Sequence, residues 1–304
     1  MFRGSIRVGW SERGRVRRGL GGWPAGRTRR VIPVTDREAV HVLDEIFGNA
    51  TDLLHTLTEH ATDTAGQTLT VFSLFKLTGL ILSPRIRDLG SITLHRLGSR
   101  QQLGAAFPNA AKLLTGTIDT RLIREQWDEM LRLSASLKYG HATASLVVGK
   151  LHASSRRSAL GQALVEYGSI QRTVFALRYL ADEAYRRRIT RQLNKGETLH
   201  SLRRDLSFAH EGAIRRRHLD QQTEQALCLS LVVNAIITFN TVYLQLALDE
   251  YVQRHGPVSP EVLTHLSPAL MEHVNPYGTY TFPIEEMRDL VGYRPLRHAE
   301  VASA

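Results

Sequence analysis

Cysteine is nearly absent from this chain of 304 residues, which contains only Cys228. A single thiol cannot form an internal disulfide bond, and it cannot supply a cysteine-based zinc site. Because Cys228 lies in an apolar stretch, we expect it to be a buried structural thiol. Cysteine usage of this kind fits a reducing compartment.

Several catalytic signatures are also missing. The thirteen histidines form no H-E-x-x-H motif, and no paired Cys/His spacing of a zinc site occurs. The sequence has no G-x-x-x-x-G-K-[ST] and no strand-linked G-x-G-x-x-G, so nucleotide hydrolysis has no support. No G-x-S-x-G is present either. Any chemistry that this chain performs therefore has to come from other residues.

Positive charge is in excess. The chain has 39 Lys and Arg residues against 29 Asp and Glu residues, which gives a net charge of +10 and a sequence pI near 10.1. This balance indicates a polyanionic partner, either nucleic acid or an anionic membrane. A merely basic soluble protein would have the same composition. The 42% hydrophobic content is enough for one large domain or two small ones.

A membrane partner is not expected. No apolar segment of a signal peptide follows the basic N-terminus. Residues 226–248 carry no charge and are long enough to cross a bilayer. Asn234, Asn240 and Gln245 are spread along this stretch, however, and such side chains are costly in lipid. We therefore expect residues 226–248 to form a helix buried in a protein core. A membrane-surface protein built on this helix is a less favoured alternative.

The pattern divides the chain into three parts. Residues 1–30 are rich in arginine and glycine and predict a basic arm that is disordered or foreign to the domain that follows; an arm that binds DNA is the alternative. Residues 31–298 are globular in pattern, and 299–304 form a tail. Apolar spacing predicts helices over 36–47 and 68–78 and a short buried strand at 80–82, which favours an α/β layer.

Helices are expected to dominate from residue 116 onward. The spacing of apolar residues predicts further helices over 119–138, 142–151, 160–183, 197–208 and 226–248. The expected fold class is thus α/β and helix-rich overall.

Two acids stand out by their setting. Asp63 is expected at a strand end, and Glu197 is expected to open a basic helix, 134 residues later (197 − 63 = 134). Carboxylates brought together bind Mg²⁺, which prefers oxygen ligands and assists phosphoryl transfer on nucleic acid. The alternatives are a turn-forming Asp63 and a Glu197 favoured by the helix dipole in the first turn.

Basic residues surround both acids, and such residues give salt-dependent affinity for phosphates. A solvated helix face is the alternative interpretation. The candidate DNA-binding residues are Arg85, Arg87, Arg187, Arg188, Arg191, Lys195, Arg203, Arg204, Arg215, Arg216 and Arg217.

Many short motifs, in order along residues 31–298, resemble the C-terminal region of the class II replicative transposases, the Tn-three family. The resemblance is carried by separate segments rather than by one motif. They include Thr62-Asp63-Thr64-Ala65-Gly66, Ser83-Pro84-Arg85-Ile86-Arg87-Asp88-Leu89, Asp182-Glu183-Ala184-Tyr185-Arg186-Arg187-Arg188-Ile189, Gln192-Leu193-Asn194-Lys195-Gly196-Glu197 and His200-Ser201-Leu202-Arg203-Arg204.

The resemblance implies an RNase H-like fold whose Asp-Asp-Glu triad binds Mg²⁺. Asp63 matches the second acid of that triad and Glu197 the third, and both would be catalytic and metal-binding. The helical insertion of the family matches about 116–180. Water would first attack a phosphodiester at each transposon end, and the freed 3′ hydroxyl would then attack target DNA. Family members act as dimers on paired ends.

One departure from the family pattern shapes the expected function. The first acid of the family lies in a Ser-Asp-Gly motif on the first sheet strand, and nothing of that kind precedes Val31; Ser11-Glu12-Arg13-Gly14 is a poor substitute. We therefore expect a truncated, inactive transposase remnant that holds Mg²⁺ poorly. Were cleavage observed, Glu12, Asp36 and Asp44 would be the first replacements to test.

The sequence also fits one alternative function. The alternative function is a non-catalytic DNA-binding or regulatory protein that pairs with a full-length transposase or with a second copy. In either case we expect a bacterial cytoplasmic protein that associates with the nucleoid when it binds DNA.

Overall fold

The fold is known from a computed structural model. It describes residues 38–48, 58–63, 68–153, 158–207, 214–216, 218–263, 265–275, 278, 279, 281 and 296.

Helices dominate the described residues, as the sequence predicts. A 3-10 turn, Ala110–Lys112, lies between the third helix and the fourth strand. The elements in chain order are α1 Glu38–Gly48, β1 Glu59–Thr62, α2 Leu69–Leu77, β2 Ile81–Pro84, β3 His95–Arg96, α3 Arg100–Ala106, β4 Gly116–Thr117, α4 Thr120–Glu125, α5 Trp127–Lys138, α6 Ala144–Ala153, α7 Ala159–Ala181, α8 Glu183–Leu206, α9 Leu219–His255 and α10 Pro260–Leu263.

The described residues fall into two compact units. The first unit ends at Glu197 and the second begins at Thr198, so α8 starts in one unit and finishes in the other. The first unit contains both pairs of strands. The second contains α9 and α10.

Two parallel strands form the sheet that carries Asp63. β1 pairs with β2 in a register that sets Glu59 opposite Ile81 and Thr62 opposite Pro84. Parallel neighbours require a crossover connection, and α2 lies within that crossover. The predicted strand at 80–82 is confirmed, and its pairing continues through Pro84. The predicted helix at 68–78 is confirmed as α2.

Helix α2 is the centre of the first unit. Thr68 begins it by accepting a hydrogen bond from the backbone N–H of Val71, as an N-cap residue does. Every residue from Thr70 to Phe75 is buried. The neighbouring strand β2 and helices α1, α5 and α7 exclude water from all faces of this helix between Thr70 and Phe75. That explains why its apolar residues do not show the one-sided pattern of a surface helix.

Helix α7 packs very closely on the start of α2. A Cβ atom added at Gly168 would lie 1.8 Å from the backbone oxygen of Leu69. Only glycine fits at that crossing. The buried hydroxyl of Ser73 also donates to the carbonyl of Leu164, which ties the two helices together beside the crossing.

A second, smaller parallel pair is stabilised by an arginine. β3 and β4 pair through His95 with Gly116 and Arg96 with Thr117. The Arg96 guanidinium donates to the three backbone carbonyls at 114–116, at 2.8 to 3.1 Å. This side chain is therefore used to hold the backbone between the 3-10 turn and β4.

Helices α7 and α8 meet at a joint of one residue. The Asp182 side chain accepts from the backbone N–H of Tyr185 at 2.9 Å, which caps the start of α8. Arg186 donates back to the carbonyls of Tyr179 and Leu180, both at 2.7 Å, which satisfies the last turn of α7. The predicted boundary of α7 at 183 is correct to within two residues.

Helix α9 is the longest element, and it buries one stripe only. Ala226, Ser230, Val233, Ile237 and Asn240 are buried at the spacing of one helix face. The amide of Asn240 donates to the carbonyls of Pro268 and Leu270 at 2.7 and 2.8 Å, so the stripe holds the segment at 268–270.

Two expectations for α9 are wrong. Cys228 is exposed rather than buried. The apolar stretch is not a core helix, since only 28% of its most apolar window is buried, and Leu231 is 72% exposed. Sequence alone cannot tell a helix apolar on all sides from a buried one, because partners and not hydropathy decide burial. Length and composition would allow α9 to cross a membrane, which is weak evidence by itself.

Candidate active site

Asp63 lies at the carboxyl edge of the β1–β2 pair. It follows the last residue of β1, as predicted, and its side chain is exposed. Across the pair, the backbone N–H of Arg85 donates to the carbonyl of Thr62 at 2.8 Å, so the parallel register continues one residue beyond the strands. Because of this register, Asp63 and Arg85 are neighbours at one edge, an acid beside a cation, and both are exposed to solvent.

Glu197 lies in the interior of α8, and its side chain is exposed. The expectation that it opens a helix is wrong, since α8 begins at Glu183, fourteen residues earlier (197 − 183 = 14). The alternative explanation of Glu197 as a first-turn acid is therefore removed as well. Glycine is a common helix terminator, yet α8 continues through Gly196.

Glu59 joins the strand of Asp63 to the helix of Glu197. One carboxylate oxygen accepts from the hydroxyl of Tyr185 at 2.9 Å and from Ser83 on β2. The other pairs with the Arg188 guanidinium at 2.5 Å. The hydroxyls of Ser83 and Tyr185 also lie 2.6 Å apart. We call the group of Glu59, Ser83, Tyr185 and Arg188 the strand–helix lock.

The strand–helix lock is largely removed from water. Ser83 is fully buried and Tyr185 is 3% exposed, while the Glu59 side chain is 11% exposed. Burial raises the pKa of Tyr185 to about 12; the hydrogen bond with Ser83 opposes this increase, and the nearby Glu59 carboxylate adds to it. The phenol is thus held neutral and able to donate.

Two guanidinium groups lie on the ring of Tyr185. Arg178 of α7 is 4.2 Å from the ring centroid, and Arg188 is 5.1 Å from it. Phe175 meets the same ring edge-on at 6.1 Å. Cation–π contacts of this kind are favourable when partly desolvated, so the aromatic ring connects α7, α8 and β1.

The predicted DNA-binding arginines of α8 differ in what they contact. Arg187 pairs with Glu183 at 2.7 Å on the exposed surface, and Arg188 pairs with the mostly buried Glu59. Arg191 is exposed, and Lys195 is half-buried. Arg188 is therefore committed to the strand–helix lock, while Arg191 is available to a phosphate.

The remaining predicted cations are placed as follows. Arg85 and Arg87 are exposed beyond β2, and Arg85 neighbours Asp63 across the strand pair. Arg203 is half-buried and Arg204 exposed in the second unit, on the last turns of α8. Arg215 and Arg216 are exposed before α9, and Arg217 lies outside the described residues.

Asp44 has a structural role. Its carboxylate accepts from the backbone N–H of Ala144 at 2.5 Å and of Ser145 at 3.3 Å, which caps the start of α6. A carboxylate used in this way is a poor candidate to replace a missing catalytic acid. The other two candidates, Glu12 and Asp36, lie outside the described residues.

The two exposed acids have the chemistry that Mg²⁺ requires. Both are hard oxygen donors, and Mg²⁺ is commonly held by one or two carboxylates together with water and substrate phosphates. Across the ranges that the structure describes, no group of three or more His, Cys, Asp or Glu side chains is placed to hold a metal ion. Asp63 and Glu197 thus fit such an ion in kind, and their assignment as its ligands stays a prediction.

Glu59 is the residue that sequence reasoning missed. A strand places alternate residues on one face, so Glu59, Ala61 and Asp63 share a face of the chain. An acid four positions before a catalytic candidate (63 − 59 = 4), on the same face of the strand, was the available signal. Its partners could not be found that way, because Tyr185 lies 126 residues further along the chain.

The structure thus places one exposed acid at a strand edge beside Arg85 and a second exposed acid on an arginine-rich helix. The sequence comparison defines the family. The chain belongs to the Tn3 transposase DDE domain family, whose family model matches residues 25–280. The resemblance to the Tn-three family is thereby confirmed.

The curated relatives are transposases of named transposons. The chain is 39% identical over 268 residues to the transposase of transposon Tn1546 from Enterococcus faecium, which covers 88% of this chain and 26% of the relative. It is 41% identical over 268 residues to the transposase of Tn501 from Pseudomonas aeruginosa, with the same coverage. The gamma-delta transposase of Escherichia coli is 38% identical over 84% of this chain and 25% of its own length. The chain thus spans about a quarter of these relatives.

Proposed function

We propose that this chain provides the second and third acids of a transposase active site and acts in DNA transposition. The observation that carries the proposal is the placement of Asp63, exposed at the edge of a parallel strand pair beside Arg85. Family membership and the relatives' names support it. The parallel β1–α2–β2 unit is consistent with an RNase H-like fold, which we propose for residues 31–298 with a helical insertion at about 116–180.

Asp63 and Glu197 have the central role in this proposal. Their carboxylates would hold Mg²⁺, which when bound activates the attacking oxygen and stabilises the leaving oxygen of a phosphodiester. Both side chains are exposed, so a DNA backbone can reach them without rearrangement of the core. Arg85, which neighbours Asp63 across the strand pair, would hold a phosphate against the acid that it flanks.

DNA affinity would come from exposed cations near these acids. Arg87 and Arg191 are exposed and not assigned to the strand–helix lock, so they are the strongest phosphate contacts of the first unit. Arg204, Arg215 and Arg216 would serve the same purpose in the second. Such contacts give affinity that is independent of sequence and falls with salt. DNA binding of this type would place the protein in the cytoplasm, on the nucleoid.

We also propose that these residues alone do not cleave DNA. In the described part of the chain, no third acid forms a metal-binding group with Asp63 and Glu197, and a family triad requires three. A second copy, or a complete transposase, would then be the partner in a complex on transposon ends. A purely regulatory DNA-binding protein is the alternative that the same absence of cleavage would favour.

Three measurements on the purified chain test the proposal. We expect binding to a duplex probe whose affinity falls steeply between 50 and 200 mM salt, and Mn²⁺ binding, with Mn²⁺ as a spectroscopic substitute for Mg²⁺, that Asp63→Asn and Glu197→Gln each weaken. Asp44→Asn is the matched control, since Asp44 caps a helix. Salt-independent DNA binding, or Mn²⁺ binding unchanged by both substitutions, would contradict the proposal.

A supercoiled-plasmid nicking assay decides whether the chain cleaves. No nicking with Mg²⁺ or Mn²⁺ is the expected result. Metal-dependent nicking that is lost in Asp63→Asn would show that these residues are sufficient for cleavage, and it would remove the proposal of inactivity while keeping the catalytic assignment.

A further inference from the structure

We propose that Glu59 is a positioning residue that sets the helix of Glu197 against the strand of Asp63, through Tyr185 and Arg188. The inference rests on the proposed function, because it assigns a purpose to the distance between the two acids. It concerns residues that the family's acidic triad does not include.

The contacts of Glu59 fix the orientation of α8 as well as its position. The carboxylate receives three donors from two elements: the Ser83 hydroxyl on β2, and the Tyr185 hydroxyl and the Arg188 guanidinium on α8. Hydrogen bonds to a charged group are short and directional. The apolar contacts of α8, such as buried Ile189, are non-directional and would tolerate rotation or sliding of the helix.

Charge is balanced within the strand–helix lock. The Glu59 side chain is 11% exposed, and an unpaired carboxylate there would be costly. Arg188 supplies the compensating charge, and the neutral phenol of Tyr185 supplies a donor without adding a charge. Removing one partner leaves a buried charge unsatisfied, so the lock resists opening more strongly than a surface ion pair does.

The strand–helix lock is the pivot about which α8 would rotate, and any such rotation would displace Glu197, which lies further along the helix. Glu197 is nine residues beyond Arg188 (197 − 188 = 9), which at 1.5 Å per residue is about 13.5 Å along the helix. A rotation of α8 by about 4° at the pivot would then move Glu197 by about 1 Å, and a displacement of that size can cost about 100-fold in rate. Asp63 is four residues beyond Glu59 (63 − 59 = 4), about 13 Å along the strand.

Distance measurements between spin labels test the inference without any need for activity. In a Cys228→Ser background, cysteines at positions 63 and 197 carry the labels, and pulsed electron resonance gives the distribution of distances. We expect a single narrow peak for this parent. Glu59→Gln and Tyr185→Phe should each broaden or shift the peak by about 2 Å or more, as a rotation of about 10° at the pivot would do.

Ser134→Ala is the matched control. The Ser134 hydroxyl donates to the carbonyl of Leu77 at 2.8 Å and joins α5 to the end of α2. It lies in the same unit as the lock, and its loss should leave the peak unchanged. If Glu59→Gln does not fold, Tyr185→Phe decides alone, because it keeps the buried ring. A peak equal to that of the parent in a folded Tyr185→Phe protein would overturn the proposal.

A second measurement links position to the metal. Tyr185→Phe alters no charge, so a merely structural role would leave Mn²⁺ affinity of the unlabelled chain as it is. We expect this variant to weaken Mn²⁺ binding at least threefold while duplex-DNA affinity stays within twofold. An unchanged Mn²⁺ affinity would count against positioning. Absence of Mn²⁺ binding by the parent would instead refute the metal role of Asp63 and Glu197, and the label distances would still decide the role of Glu59.

Discussion

The carboxylate of Asp44, on α1, accepts a hydrogen bond from the backbone N–H of Ala144, one hundred residues further along the chain. Because it caps α6, Asp44→Ala should lower the free energy of unfolding by about 1 to 2 kcal/mol. Urea denaturation followed by circular dichroism measures the change. DNA affinity at fixed salt should remain that of the parent, and a loss of affinity in the folded variant would mean that Asp44 acts at the DNA site.

Gly168→Ala should be strongly destabilising. The added methyl group would lie 1.8 Å from the backbone oxygen of Leu69, so α7 and α2 would have to separate, and overpacking of this kind costs about 1 to 3 kcal/mol or more. The melting temperature by circular dichroism reports it.

Gly149→Ala is the control for that experiment. Gly149 lies in α6, where an added Cβ meets nothing within 4 Å, so helix propensity predicts stabilisation by up to about 1 kcal/mol. Equal effects of the two substitutions would show that the α2–α7 crossing is looser than described.

Arg191 and Arg188 should separate DNA binding from stability. Arg191→Ala should weaken binding to duplex DNA and lower the slope of log affinity against log salt by about 1, because one phosphate contact is lost. Arg188→Ala should lower the melting temperature instead, since Glu59 loses its counter-charge. Fluorescence anisotropy at four salt concentrations, with melts of the same samples, measures both. A reversed pattern would place Arg188 on the DNA and not in the lock.

Stability should fall at high pH because of Tyr185. Its pKa is raised to about 12 in the folded protein from about 10 in an unfolded chain. The contribution of the Tyr185 phenol to the free energy of unfolding is therefore complete below about pH 10. It is lost as the pH rises from about 10 to 12, because the unfolded state releases the proton first.

Comparison with Tyr185→Phe isolates this group from the other tyrosines and lysines. The limiting slope is about 1.4 kcal/mol per pH unit for the one proton that the unfolded state releases first. Unfolding free energies in urea from pH 9 to 11.5 should converge for parent and variant as the pH rises. Parallel curves would mean that the phenol titrates normally.

Local patterns were sufficient for the elements that surround Asp63. Thr68 has the side chain of an N-cap, and the apolar run from Val71 predicts α2. The apolar residues that follow α2 are sufficient to predict β2. The place of Asp63 at a strand end follows from those elements. By contrast, the prediction of a single helix at 119–138 is wrong, because two helices meet at Gln126. No proline or glycine in that segment indicates the break.

The features that the sequence did not predict depend on contacts between residues that are far apart in the chain. The sequence predicts a helix that begins at Glu197, yet α8 passes through that point. Arg188 is predicted as one of a run of surface cations, although its partner is Glu59, 129 residues earlier. Composition also misjudged Cys228, since a 37-residue helix has more apolar surface than its neighbours cover. Pairing and burial are properties of the assembled chain, and a local pattern contains neither.

The structural contacts of Arg186, which donates to the carbonyls of Tyr179 and Leu180, affect how a mutational screen of this protein should be interpreted. A screen that selects for loss of DNA binding would recover Arg186 and Arg188 beside Arg191, because proteins that lack the α7–α8 joint or the counter-charge of Glu59 would be degraded or misassembled before they met DNA. Protein abundance, measured for each recovered allele, would separate the two groups. We therefore expect such a screen to identify more arginines than the proposed phosphate contacts alone.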